Sequence, residues 1–436
     1  MSESRPTPVV VLIGTLDTKG DEYAFMRERL TAAGIDTLLV DAGTDEASHR
    51  HADVPAAEVA REAGEDLANL RATHDRGRAV SAMAAGAAHI VRRLHEQGRC
   101  DGVLAAGGSG GTTIGTGAMR ALPLGVPKLM VSTVADLDTR TYMGSSDITM
   151  MASVVDLAGL NSVTRRILSN AAAAIAGMVL QPPGPANQPQ STTIAASMFG
   201  VTTPCVTAAR RALEQLGYEV ITFHTTGTGG RAMETLVDQG YFQGVLDVTT
   251  TELADEVAGG ELSAGPDRLE AAGRRGIPQV VSLGALDMIN FGPLETMPKS
   301  MQFRLLHRHN PSVTLIRTTA AESAEIGRRI GQKLSAARGP VAVYVPLRGF
   351  SQLSEPDGPF HDPNADHAMR DALRLNLSAA VEYYEVDLTI NDPRFAAAMA
   401  AKLHSFLATD AGACSSDNGG MPPSGSGLTR RDREGE

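Results

Sequence analysis

Two stretches of the chain bring together the residue types that hold phosphate. In residues 101–113, DGVLAAGGSGGTT, an apolar run breaks into Gly107-Gly108-Ser109-Gly110-Gly111-Thr112-Thr113. The run reads as a buried strand. Four glycines in five residues let the backbone turn tightly and present successive N–H groups in a concave nest. Met119 and Leu122 beyond them mark a helix whose positive end faces that nest. Strand, turn and helix start make an anion site, and the phosphates of a nucleotide are the anion expected there. A tight turn alone needs one glycine, not four with an interposed serine. The pattern is neither GxxxxGK(S/T) nor GxGxxG, so neither a Walker loop nor the dinucleotide fingerprint is present here.

The other stretch is Gly14-Thr15-Leu16-Asp17-Thr18-Lys19-Gly20, directly after an apolar run at residues 8–13. It falls at the C-terminal end of a strand, where open α/β sheets bind ligands. Lys19 is a point charge suited to phosphate, and Asp17 suits Mg2+ directly or through water. Thr15 and Thr18 add hydroxyls. A salt-bridged, capped turn would use the same residues.

The second half has candidates of its own. Gly227-Thr228-Gly229-Gly230-Arg231-Ala232 has GxGxxG/A spacing between a strand and a helix, with Asp247 about 20 residues on. Its strand is not the first of the sheet, so an anion or substrate is favoured over a dinucleotide. Four residues are candidates for catalysis. His224 ends the preceding strand and can serve as acid or base. Glu252 and Asp255 share a face if their segment is helical, which suits acid–base work, a metal, or a charged capping turn. Asp287 follows a strand at 280–283 and, with Asn290, is placed to line the same cleft. Arg348 and Ser351 can meet a carboxylate or phosphate. His307 and His309 would share one side of a strand, and His361-Asp362 with His367 has metal-like composition, but neither set has a specific ligand spacing. Cys205 at a helix start is either an activated thiol or a buried structural one.

These side chains need elements to position them. Apolar runs alternate with amphipathic stretches throughout, which implies α/β architecture with mainly parallel sheets and right-handed crossovers. Helices are expected over 22–33 and 79–96, and strands over 35–40 and 128–132. Residues 45–78 read as a polar insertion or lid carrying His49, His51 and His74. Residues 148–179 read as mostly helical with a break at Gly159-Leu160-Asn161, and late strands are expected at 313–316, 341–345 and 384–390. Residues 181–190, QPPGPANQPQ, cannot be helix or strand. The expected organisation is an N-terminal subdomain (1–180), a linker (181–191), a C-terminal subdomain (192–408) and a disordered tail (409–436). GVLDV at 244–248 echoes GVLAA at 102–106, and GIPQVVSL at 276–283 echoes GVPKLMVS at 125–132, as in two related halves.

Composition narrows the function. The 436 residues carry a net charge of −11, no Trp and 4% aromatics, which argues against nucleic acid as a partner. Three scattered cysteines suit reduced thiols, not disulfides or zinc. No apolar run is long enough to span a membrane, and the N-terminus MSESRPTPVVVLIG has no cleavable leader pattern, so a cytoplasmic location is expected.

GTLDTKGDE, AAGGSGGTT, STVADLDTRTYMGSSDITMMASVVDLAGLN and VLDVTTTELADEVAGG together resemble the tomato mosaic virus resistance protein-like ATP-binding domain family. The resemblance runs from about residue 9 to residue 407. It implies two Rossmann-like subdomains, Mg-ATP bound in the first, and a homodimer or higher homo-oligomer. By matching motif, Gly14, Thr15, Asp17, Thr18 and Lys19 would form one wall of the ATP site, and Gly107, Gly108, Ser109, Gly110, Gly111 and Thr112 the phosphate cradle. Thr133, Gly144, Ser145 and Asp147 would be neighbours, with Asp17 near Mg2+. Where the family usually has glycine in a Ser-Gly-Asp context, this chain has Leu137. The expected function is Mg-ATP binding coupled to an unidentified small metabolite near the second subdomain, the alternative being an ATP-regulated dimer without turnover.

Overall fold

The apolar runs of the first half become five parallel strands. The computed structural model describes residues 7–45, 51–181 and 191–416, with side chains to residue 409. The chain divides into two compact units, Met1–Gln190 and Ser191–Glu436. Unit 1 has strands β1 (Val9–Gly14), β2 (Asp36–Asp41), β3 (Gly102–Gly107), β4 (Lys128–Ser132) and β5 (Thr149–Ala152) in the order β2-β1-β3-β4-β5. Its helices are α1 (Leu16–Ala32), α2 (Ala56–Glu62), α3 (Leu67–Thr73), α4 (Arg76–Glu96), α5 (Ser109–Arg120), α6 (Arg140–Met143) and α7 (Ser162–Leu180). Alternate residues of the central strands enter two cores. Val11, Ile13, Val103 and Ala105 face Met83, Ile90 and Met119 on one side, while Val10, Leu12 and Leu104 face Met26, Leu30 and Leu168 on the other. Helices on both faces of a parallel sheet explain why these strands lack polar alternation.

The chain reverses direction across the sheet between β1 and β3, and there the two strands part. Their pairing ends at Ile13 opposite Ala105. Beyond it the hydroxyl of Tyr23, fully buried on α1, accepts the Ala106 N–H at 2.8 Å and donates to the Ile13 carbonyl. Gly14 is obligatory beside it, because a β-carbon there would stand 2.0 Å from the tyrosine ring.

Several expectations are corrected. Within the expected insertion or lid, residues 51–78 carry α2, α3 and the start of α4, which begins at Arg76 because Asp75 caps it by accepting the Arg78 N–H. His49 and most of the expected linker lie outside the described residues. The helix expected from 148 starts only at Ser162, with Asn161 and Thr164 forming a capping box. Before it, Thr149–Ala152 pairs with β4 as an edge strand, a stretch too short for periodicity to separate strand from helix.

Unit 2 repeats the plan. Strands β6 (Thr193–Met198), β7 (Glu219–His224), β8 (Gly244–Thr249), β9 (Gln279–Gly284), β13 (Val341–Pro346) and β14 (Glu382–Val386) form a parallel sheet ordered β14-β13-β9-β8-β6-β7. Short strands β10 (Met288–Phe291), β11 (Leu306–Asn310) and β12 (Val313–Arg317) form a separate antiparallel sheet, of which the sequence signalled β12 and, at His307 and His309, β11. The helices are α8 (Thr203–Gln215), α9 (Thr228–Asp238), α10 (Glu252–Ala258), α11 (Ala271–Arg275), α12 (Ala320–Ser335), α13 (Pro363–Asn376) and α14 (Pro393–Ser416). α14 therefore runs past residue 408, the expected end of the C-terminal subdomain, and β14 ends before 390. β7-β6-β8-β9 has the same order as β2-β1-β3-β4, and both sequence echoes fall on equivalent strands. The split is bridged again. β6–β8 pairing reaches Ala196 opposite Leu246, beyond which the Ser197 hydroxyl accepts the Thr249 N–H at 2.8 Å.

Replacing Tyr23 by Phe keeps the ring but strands the Ala106 N–H and the Ile13 carbonyl in the core. The expected loss is about 1–3 kcal/mol of unit 1 stability, read by urea denaturation. A change below about 0.5 kcal/mol would show that the bridge contributes little.

Candidate functional site

In unit 1 a cavity of about 630 Å³ opens at the C-terminal ends of β1, β2 and β3. This is the crevice of the chain reversal, where doubly wound sheets take ligands. One wall is the glycine turn. Gly107 approaches Gly111 so closely that a β-carbon would meet its Cα at 2.8 Å. α5 starts at Ser109 with Gly108 as its cap, and no side chain among the described residues closes this helix end. The first-turn amides of Ser109, Gly110 and Gly111 have no acceptor within the helix, and all three residues line the cavity. Thr112 does not. Its hydroxyl is buried against Ser132 at 2.7 Å, so it anchors the turn from behind. Thr133 donates its N–H to the Gly107 carbonyl at 3.2 Å and steadies the same turn.

The β1–α1 turn forms the facing wall through Thr15, Asp17, Thr18 and Lys19, while Gly14 sits behind it against Tyr23. The Thr15 and Thr18 hydroxyls lie 3.0 Å apart. Asp17 accepts the Asp45 N–H at 2.9 Å through Oδ2, and its Oδ1 is buried without a partner among the described residues. The Lys19 ammonium donates to the Leu157 carbonyl, tying this turn to the segment before α7. Glu22 adds to that tie by accepting the Gly159 N–H at 2.7 Å.

The sequence reading missed the third wall. Arg71, His74, Asp75 and Arg76, from the α3–α4 junction, rim the cavity, and Leu70, Val80, Met83 and Ile114 give it an apolar floor. Arg71 donates to the carbonyls of Thr44 (2.7 Å) and Asp45, holding the β2 loop against α3. The available signal was the cluster of Arg, His and Asp within the supposed insertion.

Gly144, Ser145 and Asp147 are not brought to this cavity. Asp147 accepts from the buried Lys128 ammonium at 2.6 Å and from the Gly125 N–H at 2.8 Å. Lys128 begins β4, so this pair lies at the opposite end of the sheet. Gly144 packs near Arg120, the last residue of α5. Neighbourhood in a motif did not predict neighbourhood in space.

In unit 2 the equivalent crevice is filled by the protein itself. Glu252 Oε1 accepts the N–H groups of Gly227 (2.7 Å) and Gly230 (3.1 Å), so a carboxylate of the chain occupies the glycine nest expected to take an anion. Its Oε2 accepts from Arg268 Nε at 2.7 Å, and the same fully buried guanidinium grips Asp247 at 2.5 and 2.8 Å. Asp247 is thus engaged as a counter-ion instead of meeting a ribose.

Asp255 accepts from the Asn290 N–H and side-chain amide, both at 2.7 Å. Asp287 is buried, accepts from the Ser351 hydroxyl at 2.6 Å, and is pushed above the carboxylate range chiefly by burial. His224 is exposed and stacks on Phe199 at 5.4 Å. Arg348 pairs with Asp387 at 2.7 Å on the surface. His307 packs edge-on against Phe360, and His361 and His367 go to separate partners, Ser354 and the Arg370–Asp371 pair. Among the described residues no cluster of three His, Cys, Asp or Glu is arranged to hold a metal. The Cys205 thiol is buried and pushed up to about 12, which makes it structural.

Burial, with Glu252 and Glu261 adding repulsion, pushes Asp255 up to about 8 despite its two donors. The unfolded chain ionises this group near 4, so the folded state holds the extra proton between those values. That contribution is complete below pH 4 and is lost as pH rises to 8. Unit 2 should therefore lose urea resistance from pH 5 to 8, by at most about 1.4 kcal/mol per pH unit for this group. Asp255→Asn should flatten the dependence, and equal slopes in the two proteins would refute the assignment.

Comparison with known proteins follows the same division. The profile of the uncharacterised protein family UPF0261, N-terminal domain, matches residues 8–183, and that of its C-terminal domain matches residues 191–407. A UPF0261 protein of Clostridium tetani is 47% identical over 399 residues, covering 91% of this chain and 98% of that protein. One from Rhizobium meliloti is also 47% identical over 399 residues, covering 90% and 97%. The ToMV resistance protein Tm-1(GCR237) of Solanum lycopersicum is 39% identical over 423 residues, covering 92% of this chain but 56% of the tomato protein. In the described residues no helix is long and apolar enough to cross a membrane. The chain belongs to the UPF0261 family, an uncharacterised family, and is a relative of the tomato resistance protein.

Proposed function

We propose that unit 1 binds ATP with Mg2+ in the cavity at the ends of β1, β2 and β3. The observation that carries this reading is the contrast between the two units. The crevice of unit 2 is closed by Glu252 and Arg268, whereas that of unit 1 is a cavity faced by an α5 end that no side chain among the described residues caps. The residues fit the ligand. Amides of Ser109, Gly110 and Gly111 suit phosphate oxygens, and the apolar floor of Leu70, Val80 and Met83 suits a nucleobase. Lys19, Arg71 and Arg76 are balanced by Asp17, Asp45 and Asp75 in the lining, so a triphosphate would need a cation of its own. The unpartnered Oδ1 of Asp17 is the group that would meet Mg2+, directly or through water. When bound, the ion would neutralise phosphate charge.

Glu252, Asp255 and Asp287 are each enclosed by protein partners. This favours a protein regulated by ATP, as a homodimer without turnover, over metabolite chemistry at those carboxylates. Residence in the cytoplasm is part of the same proposal.

The test is calorimetric titration of Mg-ATP into wild type and Gly110→Val. A β-carbon at Gly110 meets only Val80 (3.5 Å) and Arg76 (3.8 Å), both ordinary contacts, so the variant should fold with an isopropyl group in the cradle. Binding to wild type and a loss of about tenfold or more in the variant is expected. Equal binding by both would move the nucleotide elsewhere, and phosphate release with a metabolite would replace the regulatory reading by an enzymatic one.

A further inference from the structure

We propose that Arg76 is the cation that closes the phosphate cradle of unit 1, recognising polyphosphate esters by charge from the side opposite the α5 amides. This rests on the nucleotide reading above and adds the residue that would select for phosphate.

Three cations line the cavity, and two are already engaged by backbone carbonyls: Lys19 by Leu157, and Arg71 by Thr44 and Asp45. Arg76 has no hydrogen-bond or ion-pair partner among the described residues. Its Nη2 lies 3.8 Å from where a Gly110 side chain would begin, directly over the first turn of α5. An anion on those amides is within its reach.

The position is also electrostatically costly. Arg76 and Arg78 stand in the first turn of α4, at the positive end of the helix, with no acidic residue in that turn. Arg78 is compensated by Glu65 at 2.9 Å, and Asp75 is occupied in capping the helix. Arg76 shares the lining with Asp75 but bonds to no carboxylate among the described residues. The guanidinium is exposed at the rim and without a bonded partner among the described residues, so it is available to a ligand, and a bound phosphate would give it a direct counter-ion. The guanidinium fork suits the task better than an ammonium.

The experiment titrates Mg-ATP, and separately inorganic tripolyphosphate, into wild type, Arg76→Ala and Arg76→Lys, with melting of each ligand-free protein. Arg76→Ala is expected to weaken Mg-ATP binding about tenfold or more, with a shallower salt dependence, and Arg76→Lys to retain part of the affinity. Ligand-free Arg76→Ala should melt no lower than wild type, since a charge misplaced on the helix is removed. Mg-ATP binding by Arg76→Ala within about twofold of wild type overturns the proposal and leaves the nucleotide reading intact. Wild type that ignores ATP but takes tripolyphosphate through Arg76 supports the clamp and refutes the nucleotide. Uptake of neither overturns both.

Discussion

Where a parallel sheet reverses its winding, two neighbouring strands diverge, and their freed backbone groups must find partners. Both units meet this constraint by inserting one hydroxyl into the split. Tyr23 reaches in from α1 and accepts from Ala106, whereas Ser197 lies on β6 itself and accepts from Thr249. The choice shapes what lies above. A tyrosine fills the split from within the core and forces glycine at position 14, leaving the crevice above it open. A serine is short, and the space above it holds Asp247, Arg268 and Glu252. One topology thus yields an open crevice and a closed one.

The closed crevice shows how a protein stores charge in its interior. Arg268 is wholly buried and meets Asp247, Glu252 and Glu234 together. Removing Arg268 would leave the buried carboxylates of Asp247 and Glu252 uncompensated, a loss of about 3–5 kcal/mol in other proteins, although the intact set adds little net stability. Glu252 also satisfies two amides at the start of α9, so one carboxylate neutralises a cation and caps a helix.

Much of this was legible in the sequence. The strand runs, the parallel α/β plan and the GTLDTKG and glycine turns follow from apolar patterning and glycine stereochemistry, and the structure brings those two turns to one cavity. The α2–α3 segment was hidden because each helix has seven residues, too few to display an amphipathic period. β10 carries Asn290, a residue that reads as loop chemistry, and its strand form depends on pairing with β12. Asp147 was misplaced because sequence does not say which end of a strand a later loop returns to. Glu252 was recognised as special, but its partner Arg268 lies in a stretch with no periodic signal.

The bonds made by Arg71 lead further. Its guanidinium holds the loop at Thr44 and Asp45 through their carbonyl oxygens, which every amino acid possesses. The information that fixes this rim of the cavity is therefore concentrated in one side chain. Positions 44 and 45 are free to drift in identity while their backbone path persists, whereas position 71 is not. Among relatives, the shape of the rim should outlast the spelling of the loop that forms it.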